Sequence, residues 1–467
     1  MCLTCGHINP NDSSRRCKAC WLLLTRVSPI SQDQAATLSP RKRRHWLLRR
    51  SWFVSISVAI ACLVCAQTIY AFDIVPRVFP PPAAINHDTP NLAPHNWAQG
   101  GRTAEGSRYT PSDAPVPHSV KWTFKTARRM RASPSVVDER VYLNSNDGRM
   151  LALDSETGRL VWEYQTGSRT SSSPAILNDL VIFAVRSGLV TALDRNTGEL
   201  VWETDLDSPV YASPTVGDGT VFIGSGASKL FALDAQTGQI RWDSPTRDWV
   251  VASVAYADDT VVVTSQGSIV DIFDTKNGRR RLKYDTGKVR FGGAPTIQDD
   301  QVYFSSDGGR VWGVDRYAQT YPLERFIFHV KINLYVWKLI SGRPVQRGSI
   351  WSKRVGGHIN LPLAVTDDAV FGATENGVVF SRESKTGKEI WSTDVQSIVG
   401  VAPSIAANTV LLGTKDGNIL GIDSKTGEIL WRFHVGSAIT TSPITAGDTI
   451  YVGTEDGSLH AIIGNRR

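Results

Sequence analysis

Short apolar runs with alternating inward and outward positions fill most of the chain beyond residue 115. "TVFIGS" (220–225) and "TIYVGT" (449–454) typify them. Each is five or six residues long and bounded by Gly, Asp, Asn or Ser, which is too short for a helix and predicts antiparallel strands. Asp147-Gly148, Asp307-Gly308, Asn376-Gly377, Asp416-Gly417 and Asp456-Gly457 supply hairpin turns, because glycine accepts the positive φ such turns need. The order recurs: a Ser-Pro or Ala-Pro step (Pro134, Pro174, Pro214, Pro295, Pro403, Pro443), two strands, a turn, a third strand, Asp-x-x-Thr-Gly, and a fourth strand centred on tryptophan.

Trp122, Trp162, Trp202 and Trp242 stand 40 residues apart, as do Trp351, Trp391 and Trp431, and Leu282 holds the intervening place in a decayed copy. The interval from 282 to 351 is one repeat plus 29 inserted residues. Eight four-stranded units of this length predict an all-β, eight-bladed propeller. "VKWTFKT" around Trp122 precedes the first complete unit, so it is expected to supply the missing fourth strand of the last unit and close the ring. Asp154, Asp194, Asp234, Asp274, Asp315 and Asp423 precede turns where a carboxylate accepts backbone N–H bonds, an architectural role rather than a catalytic one.

The insertion, about 316–347, departs from the repeat. "FHVKINLYVW" alternates Phe328, Val330, Ile332, Leu334 and Val336 with His329, Lys331, Asn333 and Tyr335, which predicts an amphipathic strand in a hairpin of blade five. The hairpin either covers its own blade or docks a partner strand or a membrane surface.

Residues 51–72 contain no charged side chain and, as a helix, span roughly 33 Å. "RKRRHWLLRR" (41–50) precedes them, so the expected topology is a single-pass cell-membrane protein with a cytoplasmic N-terminus and an extracytoplasmic propeller. A cleaved signal peptide, or a lipid on Cys62 or Cys65, is the alternative. Residues 1–50 hold ten Lys or Arg against two acids, whereas the remaining 417 hold 41 against 42. The excess charge is thus a topology signal, and no nucleic-acid partner is expected.

All six cysteines lie in the first 65 residues. Cys2 and Cys5, then Cys17 and Cys20, form two Cys-x-x-Cys knuckles able to close a tetrahedral structural Zn2+ site, and the stretch resembles the zinc-ribbon heads of prokaryotic membrane proteins. The expected domains are a zinc ribbon (1–24), a basic cytoplasmic tether (25–50), a transmembrane helix (51–72), a Pro-rich stalk (73–96) and the propeller (97–467).

The recurring A-x-D-x-x-T-G-x-x-x-W, with the lead-in "NWAQGGRTAEGSRYT", resembles the tryptophan-docking motif of the PQQ-like (quinoprotein-like) propellers, BamB-like rings included. That resemblance implies either a quinone-dependent dehydrogenase, with calcium and an aspartate in the central funnel, or a non-enzymatic binding ring. The propeller has no cysteine for the disulfide typical of the alcohol-oxidising branch, and no acid cluster stands apart from the repeat. The expectation is therefore a non-enzymatic scaffold that binds a protein partner, with no catalytic residue, no assigned cofactor residue and no PQQ. The alternatives are a PQQ-dependent oxidoreductase and a glycan- or cell-wall-binding sensor.

Overall fold

The computed structural model describes residue 93 and residues 95–465, apart from 288 and 322. The expected ribbon with Cys2, Cys5, Cys17 and Cys20, the tether, the helix at 51–72 and nearly all of the stalk lie outside the described residues. Among those described, no helix is long and apolar enough to cross a membrane.

Eight antiparallel sheets follow one another along the chain. Blade one runs from Ser135–Val137 through Arg140–Ser145 and Arg149–Asp154 to Leu160–Gln165, and blades two to seven repeat that order. Blade eight takes three strands from the C-terminal stretch and its fourth, Val116–Lys125, from the beginning of the ring. Trp122 faces Ala461 and Phe124 faces Leu459 in that closing ladder, so the expected closure is present.

Burial explains the sequence pattern. The second strand of each blade is covered on both faces by neighbouring blades, and Leu180–Ala184, Thr220–Gly224 and Thr449–Gly453 are buried throughout. The outermost strands meet solvent, and only their tryptophan is buried within Leu160–Gln165 and Leu200–Asp205. Eight apolar clusters fill the eight junctions; one joins Val141 and Leu153 of blade one to Ile444 and Tyr451 of blade eight.

The tryptophans dock forward. The Trp162 indole Nε1 donates to the Arg195 carbonyl of the next blade at 3.0 Å, and Trp122, Trp202, Trp242, Trp351 and Trp391 make the same bond to a carbonyl 33 residues on. The ring lies flat against the glycine of the next Asp-x-x-Thr-Gly. Gly198 has φ of 76°, and a Cβ there would stand 2.7 Å from Trp162. Asp154 and Asp234 accept the predicted turn bonds from Thr157 and Thr237.

The insertion corrects the strand expectation. It carries helix α1, Glu324–Val336, between the third strand of blade five, Arg310–Asp315, and its fourth, Ser349–Arg354. The helix satisfies its own backbone groups and adds nothing to the open edge of Ser349–Arg354. The apolar residues alternate, but Phe326, Val330 and Trp337 also share one helical face.

Asp271 breaks the burial pattern. It occupies the place of Thr191 and Phe231 in the third strand, is 1% exposed, and has Arg280 Nε 3.0 Å from one oxygen, yet neither oxygen receives an aligned hydrogen bond. Burial raises its pKa to about 6, against the pull of Arg280 and Lys283.

Two outcomes follow. Gly198→Ala should cost about 3 kcal/mol and Trp162→Ala about 4 kcal/mol in urea unfolding. The double variant should lose clearly less than the sum, because removing the indole makes room for the new methyl; strict additivity would contradict the docking geometry. For Asp271, the folded pKa exceeds the unfolded one, so the native state binds more protons between about pH 4 and 6 and stability falls as pH rises through that window. Asp271→Asn should raise stability by on the order of 2 kcal/mol at pH 8, with the gain vanishing below pH 4; a loss at pH 8 would show that the Arg280 pair is net stabilising.

Candidate functional site: the central channel

The innermost strands begin at the Ser-Pro or Ala-Pro steps, so the residues just before each step converge on the ring axis. Hydroxyls at the first position of alternate strands tie neighbours together: Ser135 donates to the Pro174 carbonyl at 2.6 Å, Thr215 to Val254 at 2.7 Å, and Ser404 to Pro443 at 2.5 Å.

The lead-in closes this channel across its middle by visiting one blade after another. Trp97 pairs with Val136, Ala98 accepts from Ile176, and the Gln99 side chain accepts from Val216. The carbonyls of Ala104, Glu105, Ser107 and Arg108 then accept from Tyr256, Ile297, Val365 and Ile405. Seven blades in order are thereby stitched to a single segment. Its path doubles back where Gly101 meets Gly106; a Cβ on Gly101 would stand 2.5 Å from the Gly106 Cα, and the Arg108 N–H donates to the Gly101 carbonyl at 3.0 Å.

Two cavities flank the segment. On the side of the A–B turns lies a bowl of 1590 Å3 rimmed by Asp138, Asp179, Asp218, Asp258, Asp299 and Asp300. Arginines from neighbouring blades pair with several of them: Arg195 with Asp138 at 3.1 Å and Arg316 with Asp258 at 2.5 Å. Burial raises the Tyr256 phenol there above its ordinary range. No group of three or more metal-ligating side chains occurs among the described residues.

The second cavity, 280 Å3, has the opposite chemistry. Ser133, Ser171, Ser173, Ser213, Ser253 and Thr441 line it with hydroxyls, and Arg108 and Arg131 bring the charge. None of its described lining residues is Asp, Glu or His. Arg108 is the decisive group. Its Nη1 is buried without a hydrogen-bond partner, and desolvation lowers its pKa to about 10, which still leaves the guanidinium charged at neutral pH. A half-buried guanidinium that lines a cavity of hydroxyls, with no carboxylate among the described lining residues, gives that cavity a positive character.

The cysteines singled out for metal binding, Cys2, Cys5, Cys17 and Cys20, lie outside the described residues. Sequence reasoning assigned no cofactor residue and passed over Arg108. The available signal was the lead-in itself, "GGRTAEGSR", whose glycines mark a tight crossing that delivers an arginine to the axis.

The family model described as "Outer membrane protein assembly factor BamB" matches residues 116–209, 186–318 and 337–465. A curated relative, the dehydrogenase subunit of an alcohol dehydrogenase (quinone) from Acetobacter aceti, is 37% identical over 75 residues, 15% of this chain and 10% of that protein. The chain thus matches only about a tenth of that relative's length. Among solved structures, BamB from Moraxella catarrhalis is 18% identical with a TM-score of 0.60, over 74% of this chain and 99% of that one. A europium-containing methanol dehydrogenase is 15% identical with a TM-score of 0.64, over 77% of this chain and 89% of that one. The structural likenesses establish the eight-bladed fold. The expectation of a non-enzymatic scaffold, without enzyme activity, is overturned here: the curated sequence relative is named as a quinone dehydrogenase.

Proposed function

The chain belongs to the family described as outer membrane protein assembly factor BamB; within that family we propose, on the curated relative's name, that it is a quinone-dependent oxidoreductase whose channel holds an anionic quinone cofactor. The curated relative's name supports the class, and the idle guanidinium of Arg108 carries the reading. A PQQ-type quinone, when bound, supplies a two-electron acceptor and carboxylates. Arg108 would pair with a carboxylate through its guanidinium, and Arg131 would attract the anion toward the cavity. The hydroxyls of Ser133, Ser173 and Ser213 would donate to its oxygens, and Tyr211 offers an aromatic face. The cavity is close to the lower limit for small-molecule sites, about 300 Å3.

The residues fit the anion and do not fit a divalent cation, which asks for carboxylate or carbonyl oxygens in number. No described lining side chain is a carboxylate, so no step is assigned to a metal and no catalytic base is named.

The test is an absorbance titration of the purified protein with PQQ, with and without EDTA, beside dye-linked alcohol oxidation and thermal unfolding of the unloaded protein. Uptake should be stoichiometric and indifferent to EDTA. Arg108→Gln should weaken uptake about tenfold to a hundredfold, the worth of a charge-assisted bond. The unloaded variant should be at least as stable as the parent, by up to about 2 kcal/mol, because it no longer encloses an unpaired charge. Absence of uptake, or uptake unchanged in the variant, would overturn the reading.

A further inference from the structure

Helix α1 and the loop after it keep a row of large apolar side chains exposed. None of the described side chains between 321 and 347 is buried. At the feet of the insertion the Thr320 N–H donates to the Arg281 carbonyl at 2.7 Å, its hydroxyl accepts from the Lys283 N–H at 2.8 Å, and Gln346 reaches the same strand. A 13-residue helix is marginal in water without tertiary packing. Its large apolar side chains nonetheless form a stripe. Phe326, Val330 and Trp337 share one face and are 62%, 39% and 67% exposed, and Leu339 and Val345 continue it at 66% and 71%.

Charge selects the occupant. Residues 321–347 carry five Lys or Arg against one acid, whereas the rest of 73–467 carries 36 against 41. The cations are concentrated where the apolar stripe lies, and Lys331 and Lys338 are exposed. A tryptophan- and phenylalanine-bearing face flanked by lysines, with long stems that let the ammonium groups rise beside it, matches the boundary between acyl chains and anionic headgroups. We propose that the 316–347 insertion is a membrane-surface anchor that lays the face of Phe326, Val330 and Trp337 into an anionic lipid leaflet. The inference is independent of the quinone reading.

The ring can be tested alone. Among the described residues, every strand, both partners of the closing ladder and all eight apolar clusters lie within 97–465, so the 84–467 fragment carries the whole described core. The experiment is flotation of this fragment with neutral phosphatidylcholine vesicles and with vesicles containing roughly one-third phosphatidylglycerol. It should float with the anionic vesicles only. The triple variant Phe326→Ser, Val330→Ser, Trp337→Ser should lose flotation with its melting temperature unchanged, since no buried contact is removed. Lys331→Gln with Lys338→Gln should weaken binding roughly 30-fold, from about 1 kcal/mol per charge. Failure to float with either vesicle, or flotation undiminished in the triple variant, would overturn the proposal. Concentration-dependent self-association without flotation, abolished by the same triple variant, would make the face a protein interface and overturn it as well.

Discussion

The architecture depends on one contact, a tryptophan ring laid flat on a glycine of the following blade. The glycine is required twice over, by its left-handed backbone and by the absence of a Cβ where the indole must lie. The indole N–H then finds a carbonyl at the same junction, so packing area and hydrogen bonding act at one place. Six of the eight junctions use this contact. Between blades four and five Leu282 replaces the tryptophan, and Trp312 of blade five fills the cluster from the other side. Blade five is also where the chain departs into the insertion. Freed from receiving an indole, its outer loop could lengthen without disturbing the ring.

Docking at the rim leaves the axis to be closed by other means. Eight innermost strands can present backbone donors toward the centre, and the lead-in satisfies seven of them from a single segment that folds back on itself. The consequence is an axis with two faces of unlike charge. On one side aspartates are held in inter-blade ion pairs, which consumes much of their charge structurally. On the other, hydroxyls surround a guanidinium that the protein itself leaves unsatisfied. The polarity of the channel is therefore a product of how the chain is threaded, and the anion site is its chemical outcome.

Much of the fold was legible because repetition multiplies a weak signal. No single "TALDRNTGELVW" specifies a blade, but the same string at a spacing of 40 does, and Asp-x-x-Thr-Gly followed by tryptophan foretold both turn and dock. Two features escaped for physical reasons. The residues of α1 alternate like a strand and recur like a helix, so the pattern alone does not decide between them. Arg108 belongs to no repeat, and its partners at Gly101 and Ile405 come together only when the ring closes. The functional expectation leaned on missing signs, the cysteine pair and a separate acid cluster, and a cavity of hydroxyls with Arg108 and Arg131 offers neither sign to a reader of the sequence.

The central claim is that the hydroxyl-lined half of the channel holds an anion against Arg108. A crystal structure of the protein soaked with PQQ tests it most directly. The account predicts planar density in that half, with a carboxylate oxygen about 2.8 Å from a nitrogen of the Arg108 guanidinium. Density in the aspartate-rimmed bowl instead, or a channel in which Arg108 remains without a partner at saturating quinone, would contradict it.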